Sequence, residues 1–97
     1  MARSLVERRL TDVTNRLRKA REELAVIEQQ RAALAESADE LQIRAVVAET
    51  RDAEKEYRDA QRHVEAMDRG RNQVAKHIAD LQRSQDELLE RLVPDSS

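Results

Sequence analysis

Metal binding in this chain would have to rest on its carboxylates and two histidines, His63 and His77, because cysteine is absent. The histidines stand fourteen residues apart on what reads as one helix, too far to share a metal ion. No Glu-x-x-His sequence brings a carboxylate and an imidazole together as carboxylate-type bundle metal sites require. Gly70 is the sole glycine, so a glycine-rich phosphate loop is missing. No nucleophile is paired with a base through a recognisable motif. These residues predict a protein that is not an enzyme and holds no metal or cofactor.

The elements that carry these side chains read as long helices. The chain has 97 residues, 39% of them charged, with one Tyr (Tyr57), one Pro (Pro94) and neither Phe nor Trp. Large aromatics dominate the filling of globular cores, so a compact aromatic core is excluded. Abundant Ala, Leu, Glu, Arg and Gln is instead the composition of coiled coils. The net charge of −2 gives no bulk attraction to nucleic acid or to an anionic membrane. No stretch approaches the roughly 18 apolar residues that span a bilayer. The first ten residues hold no apolar run of the signal-peptide kind. The expectation is a soluble, cytoplasmic protein without disulfides. Arg-over-Lys and Ala-rich usage points to a GC-rich bacterial genome.

From Val6 apolar residues recur in alternating steps of four and three, through Leu10, Val13, Leu17, Ala20, Leu24, Ile27, Leu34, Ala38, Leu41, Ala45 and Ala48, with Arg31 the one interruption. A second series runs from Thr50 through Ala53, Tyr57, Ala60, Val64, Met67, Arg71, Val74, Ile78, Leu81, Gln85 and Leu88 to Leu92. Sustained stripes of this period are the signature of a coiled-coil seam. The step from Ala48 to Thr50 is two residues where four was due, which swings the stripe to nearly the opposite side of a helix. Coiled-coil stutters and stammers insert four or three residues and do not repair this. A chain reversal does.

In an antiparallel hairpin, facing residues have numbers of constant sum. A sum of 98 pairs Leu17 with Leu81, Ala20 with Ile78, Leu24 with Val74, Leu34 with Val64 and Leu41 with Tyr57. A sum of 91 would place the turn inside Arg44–Val47, a poor loop. The predicted fold is therefore all-α: one antiparallel coiled-coil hairpin domain over residues 1–97, reversing near Glu49. Helix one covers about 4–48, the tip about 48–50 and helix two about 50–93, with a tail over 94–97. Ser4-Leu-Val-Glu7 reads as a capping box, Thr50 as the cap of helix two and Pro94 as its stop. A second capping-box match at Ser37 makes a kink there the lesser alternative.

One two-helix seam buries little area, which favours dimerisation, with a four-helix bundle as one form. Two off-seam apolar clusters offer surfaces for a second copy or for another protein. Ile43, Val46 and Val47 lie near the tip, while Leu5, Leu89 and Val93 lie near the open end. Arg31 and Arg71 fall in adjacent seam layers, with Gly70 beside them, and form a polar waist. The expected role of that waist is to fix register, its arginine stems covering apolar neighbours while the heads reach Glu28 or Asp68. A hinge or docking notch is the alternative. The basic run Asn15–Arg21 sits on a solvated face without a nearby aromatic, so nucleic-acid binding there is a third-ranked reading.

Residues 36–56 hold seven acids against three bases, whereas residues 1–35 hold eight bases against five acids. The hairpin is thus acidic at its tip, where Glu49 and Asp52 stand. A narrow coiled-coil finger with tip carboxylates resembles, in architecture, the hairpins of Gre-type transcript-cleavage factors. That resemblance implies entry into the secondary channel of bacterial RNA polymerase, with Glu49 and Asp52 presented near the catalytic metal. It covers the hairpin alone and rests on no shared motif. The residues themselves lead to a non-catalytic scaffold or adaptor, acting through self-association and contact with an unidentified protein; the polymerase-binding modulator is the alternative.

Overall fold

Alternating four- and three-residue spacing holds apolar side chains on one face of a helix, and such a face is stable only when another element covers it. The computed structural model describes residues 2–92, with side chains from Arg3 onward. Among these residues it contains two helices and no strand: α1 spans Ala2–Ala48 and α2 spans Arg51–Leu92. The two pack antiparallel against each other, so the fold is a helical hairpin with its reversal at Glu49 and Thr50. Val93 and Pro94, assigned above to the open-end cluster and the helix stop, lie outside the described residues. Contacts among the described residues gather into two compact units, one joining residues 2–24 with 74–92 and the other Ala25–Gln73.

The first unit holds the larger core. Leu17, 1% exposed, is buried with Ala20, Ile78 and Leu81, and Val13, Leu24 and Val74 pack against them. Leu17 with Leu81, Ala20 with Ile78 and Leu24 with Val74 are the pairings of the predicted register. Gln85, the polar residue of the second stripe, donates a hydrogen bond through Nε2 to Thr14 Oγ1 across the pair at 3.2 Å. A seam glutamine therefore has a partner and carries little desolvation cost.

The second unit is thinner. Its buried residues are two alanines, Ala38 and Ala45. Ile27, Leu34, Leu41, Tyr57, Val64 and Met67 occupy the predicted seam but remain half-buried. Alanine at alternate seam layers lets the helices approach closely, yet it covers little of its larger neighbours.

At the reversal, Glu49 adopts a left-handed conformation, with φ of 51°. Its amide donates to Ala45 O at 3.1 Å, which completes the last turn of α1. Glycine is the usual residue in this position, because a Cβ makes the left-handed region costly. Thr50 then caps α2: its Oγ1 accepts from the Ala53 amide at 3.2 Å and its carbonyl accepts from the Glu54 amide at 3.1 Å. Asp52 and Glu54 in the first turn of α2 favour the positive end of its dipole. Glu49→Gly is expected to raise the thermal midpoint by a few degrees, a gain of about 0.5–1 kcal/mol. A lower midpoint in that variant would contradict the turn described.

Two local expectations need correction. Ser4 does not cap helix one, because α1 already begins at Ala2, and Glu7 instead accepts from Arg3 Nε at 3.1 Å. Ser37 lies inside uninterrupted helix, so the second capping-box match starts nothing. The seam passes through Ser37 without a change of phase, and packing along the seam outweighs a three-residue local preference.

Candidate interaction surfaces

At the polar waist, the seam positions of Arg31 and Arg71 place one guanidinium on each helix of the 25–73 unit. The seam does not bury either side chain, and each head crosses to a carboxylate on the other helix. Arg31 Nε donates to Asp68 Oδ1, and Arg71 Nε donates to Glu28 Oε1 at 3.3 Å. These reciprocal pairs join residues whose numbers sum to 99, one step from the seam register. The Asp68 carboxylate, first by hydrogen bonding and then by charge, raises the Arg31 guanidinium above its ordinary pKa. Its charge therefore persists throughout the range in which proteins are folded.

Gly70 lies beside this cluster in an ordinary helical conformation, and a Cβ added there would meet nothing within 4 Å. Packing gives no reason for glycine at this position. Gly70→Ala is expected to stabilise the helix by about 1 kcal/mol, read from denaturant unfolding. A neutral or destabilising result would show that the waist depends on the missing side chain.

The apolar surface near the turn is substantial. Ile43, Val46 and Val47 are 66%, 70% and 78% exposed, within five residues of α1. Leu5 and Leu89, in the other unit, are exposed to a lesser degree. Val26, beside the seam residue Ile27, is also exposed, a position that the seam pattern does not single out. Glu49 and Asp52 are exposed at the turn. His63 and His77 are exposed on α2, and among the described residues no group of three or more His, Cys, Asp or Glu is arranged to hold a metal ion. No described helix is long and apolar enough to cross a membrane.

A feature not anticipated from the seams is a groove along one side of the 25–73 unit. One stretch lies between Ala45, Val46 and Tyr57, a second between Ala35, Ala38 and Val64, and a third at Arg31, Ala32 and Arg71. The first two share Tyr57 and the last two share Arg31, so the three are continuous. Glu28, Ala32, Ala35, Asp39, Gln42 and Val46 form the α1 wall, in steps of four and three parallel to the seam. Glu54, Arg58, Gln61, Glu65 and Asp68 form the α2 wall in the same rhythm. The groove exists because two of the six α1 wall residues, Ala32 and Ala35, and part of the floor, Ala38 and Ala45, are alanine. Writing out the positions flanking the seam, as well as the seam itself, would have shown it.

No protein-family model matches the chain, and neither a curated protein nor a solved structure matches it.

Proposed function

We propose that this chain is a non-catalytic coiled-coil scaffold or adaptor that works through self-association and contact with another protein. The carrying observation is the combination of Ile43, Val46 and Val47, exposed close to the turn, with a unit whose own buried residues are only Ala38 and Ala45. Water-exposed apolar groups of this size on a thin helical pair mark contact surfaces rather than scattered surface residues. A cysteine-free chain suits a reducing compartment, and the bacterial cytoplasm is the setting this reading takes.

The test is affinity capture from host lysate with the intact chain and with an Ile43→Lys, Val47→Lys variant. A stoichiometric partner retained by the first and lost by the second supports the adaptor reading. Equal retention by both would remove the apolar cluster from the account.

A second reading follows from the two exposed carboxylates at the narrow turn. A helical hairpin presenting Glu49 and Asp52 at its turn resembles, in architecture, the Gre-type hairpins that insert into an enzyme channel. Here the retained proteins would be RNA polymerase subunits, and Glu49→Ala with Asp52→Ala would abolish the effect on transcription without loss of binding. Unchanged transcription in that double variant would dismiss this reading.

A further inference from the structure

We infer that the alanine-walled groove of the 25–73 unit is the site where a second copy of this chain docks, antiparallel, with a two-fold axis passing at Ala35. This inference rests on the self-association reading above and specifies its surface. Three observations lead to it.

The first is incomplete burial. Tyr57 and Val64 contribute to the groove floor yet are only half-buried, and Val46 on the rim is exposed. Covering this side would bury the apolar side chains that the two-helix seam leaves partly wet. Such coverage converts a marginal helix pair into a four-helix layer with a continuous core.

The second is steric. Isologous packing places the same groove on both sides of the axis. Ala32 and Ala35 on the α1 wall allow two α1 helices to approach closely about that axis. A longer side chain at Ala35 would meet its own copy there.

The third is charge, which selects both the occupant and its direction. With the axis at Ala35, α1 residues of the two copies face each other when their numbers sum to about 70. Through the hairpin register, α2 residues then face each other at about 126. Glu28 meets the partner's Gln42, and Gln61 meets the partner's Glu65. Arg58 meets the partner's Asp68, while Asp39 meets the partner's Arg31. The Arg31–Asp68 pair already present in each copy thereby gains an opposite charge at both ends. No like charges meet at the walls. The competing arrangement, with both turns at the same end, lays α1 over the partner's α2. In that arrangement facing wall residues have numbers summing to about 97, so Glu28 lies against the partner's Asp68 and repels it. The attraction of Asp39 for the partner's Arg58 only offsets that repulsion. Complementarity of this kind fixes register and excludes wrong pairings.

The test uses the absence of cysteine. Single-cysteine variants of the full chain, Ala35→Cys and Ser37→Cys, are oxidised mildly and followed by non-reducing electrophoresis, alongside sedimentation analysis of the intact chain. Ser37 is exposed, outside the groove lining, and serves as the control. At Ala35 the two sulfurs would meet across the axis, within the short Cα separation that a disulfide requires. Ala35→Cys is expected to link copies at least about tenfold faster than Ser37→Cys, because pairing in the dimer raises the effective concentration of one thiol at the other. Ala35→Arg should weaken the dimer by about a hundredfold, since two guanidinium groups would replace two methyls on the axis. Arg58→Glu should weaken it by about tenfold through the Asp68 contacts.

A dimer in which Ser37→Cys links as fast as Ala35→Cys, or in which Ala35→Arg has no effect, would overturn the assigned surface and leave self-association standing. A chain that sediments as a monomer at all concentrations would remove self-association and this inference together. The groove would then belong to a helix of another protein.

Discussion

Leu17→Asp is expected to abolish the cooperative thermal transition and most of the helical circular dichroism. Leu17 is 1% exposed and is packed with Ala20, Ile78 and Leu81, with Val13, Leu24 and Val74 around them. Removing a leucine from such a site costs about 2–5 kcal/mol before any charge is considered. Placing a carboxylate there adds several kcal/mol more, or forces its protonation. A chain of this size has roughly 5 kcal/mol of stability by the usual per-residue scale, so the loss meets or exceeds what is available. Helices released from the seam are not held by local propensity alone, so helicity should fall with packing. Arg18→Asp, one residue away on the exposed face, should change the midpoint by no more than a few degrees. Leu24→Asp and Leu34→Asp, at half-buried layers, should also unfold the chain with a smaller initial loss. Native-like helicity in Leu17→Asp would mean that the seam is misassigned.

The second large effect runs in the opposite direction. Converting both waist arginines, Arg31→Leu with Arg71→Leu, is expected to stabilise the hairpin by about 2–4 kcal/mol. Each leucine would complete an apolar layer now interrupted by a guanidinium. The ion pairs given up join side chains that are each more than 40% exposed, where salt bridges contribute little. Asp68 and Glu28 would return to water at small cost. The accompanying loss should be specificity: a polar layer fixes register, and its removal lets the stripes slide or recruit further helices. Denaturant unfolding and sedimentation together read both effects. A double variant less stable than the parent would show that the reciprocal pairs hold the hairpin together, in place of fixing its register.

The architecture was legible in the sequence because the helical stripe is a long-range average. Many positions agree on it, and the jump between Ala48 and Thr50 has no geometric remedy except a turn. The facing layers follow from arithmetic, and Leu17, Ala20, Ile78 and Leu81 form the core that this arithmetic places together. The start of α1 was less legible, because Ser4 and Glu7 can form a capping box or can lie in helix with Glu7 engaged by Arg3. Competition between those two bonds is settled by a few tenths of a kcal/mol, below what a motif resolves. At the turn, the missing glycine concealed that Glu49 takes the left-handed conformation itself.

The interaction surfaces were legible only in part. Ile43, Val46 and Val47 declare themselves as apolar residues off the seam, and they are exposed. The groove did not, because it is made by side chains that are small. Ala32, Ala35, Ala38 and Ala45 read as ordinary helix formers until the two helices are set side by side and the space above them is seen. Function was the least legible, since an exposed surface does not name its partner.

The central claim, that this hairpin works by associating with itself and with another protein, is tested most directly by sedimentation equilibrium over a wide range of chain concentration. The account predicts a reversible rise to twice the monomer mass, with helicity and thermal midpoint increasing as the dimer forms. A single monomer mass at every concentration, with full helicity and an unchanging midpoint, would contradict it.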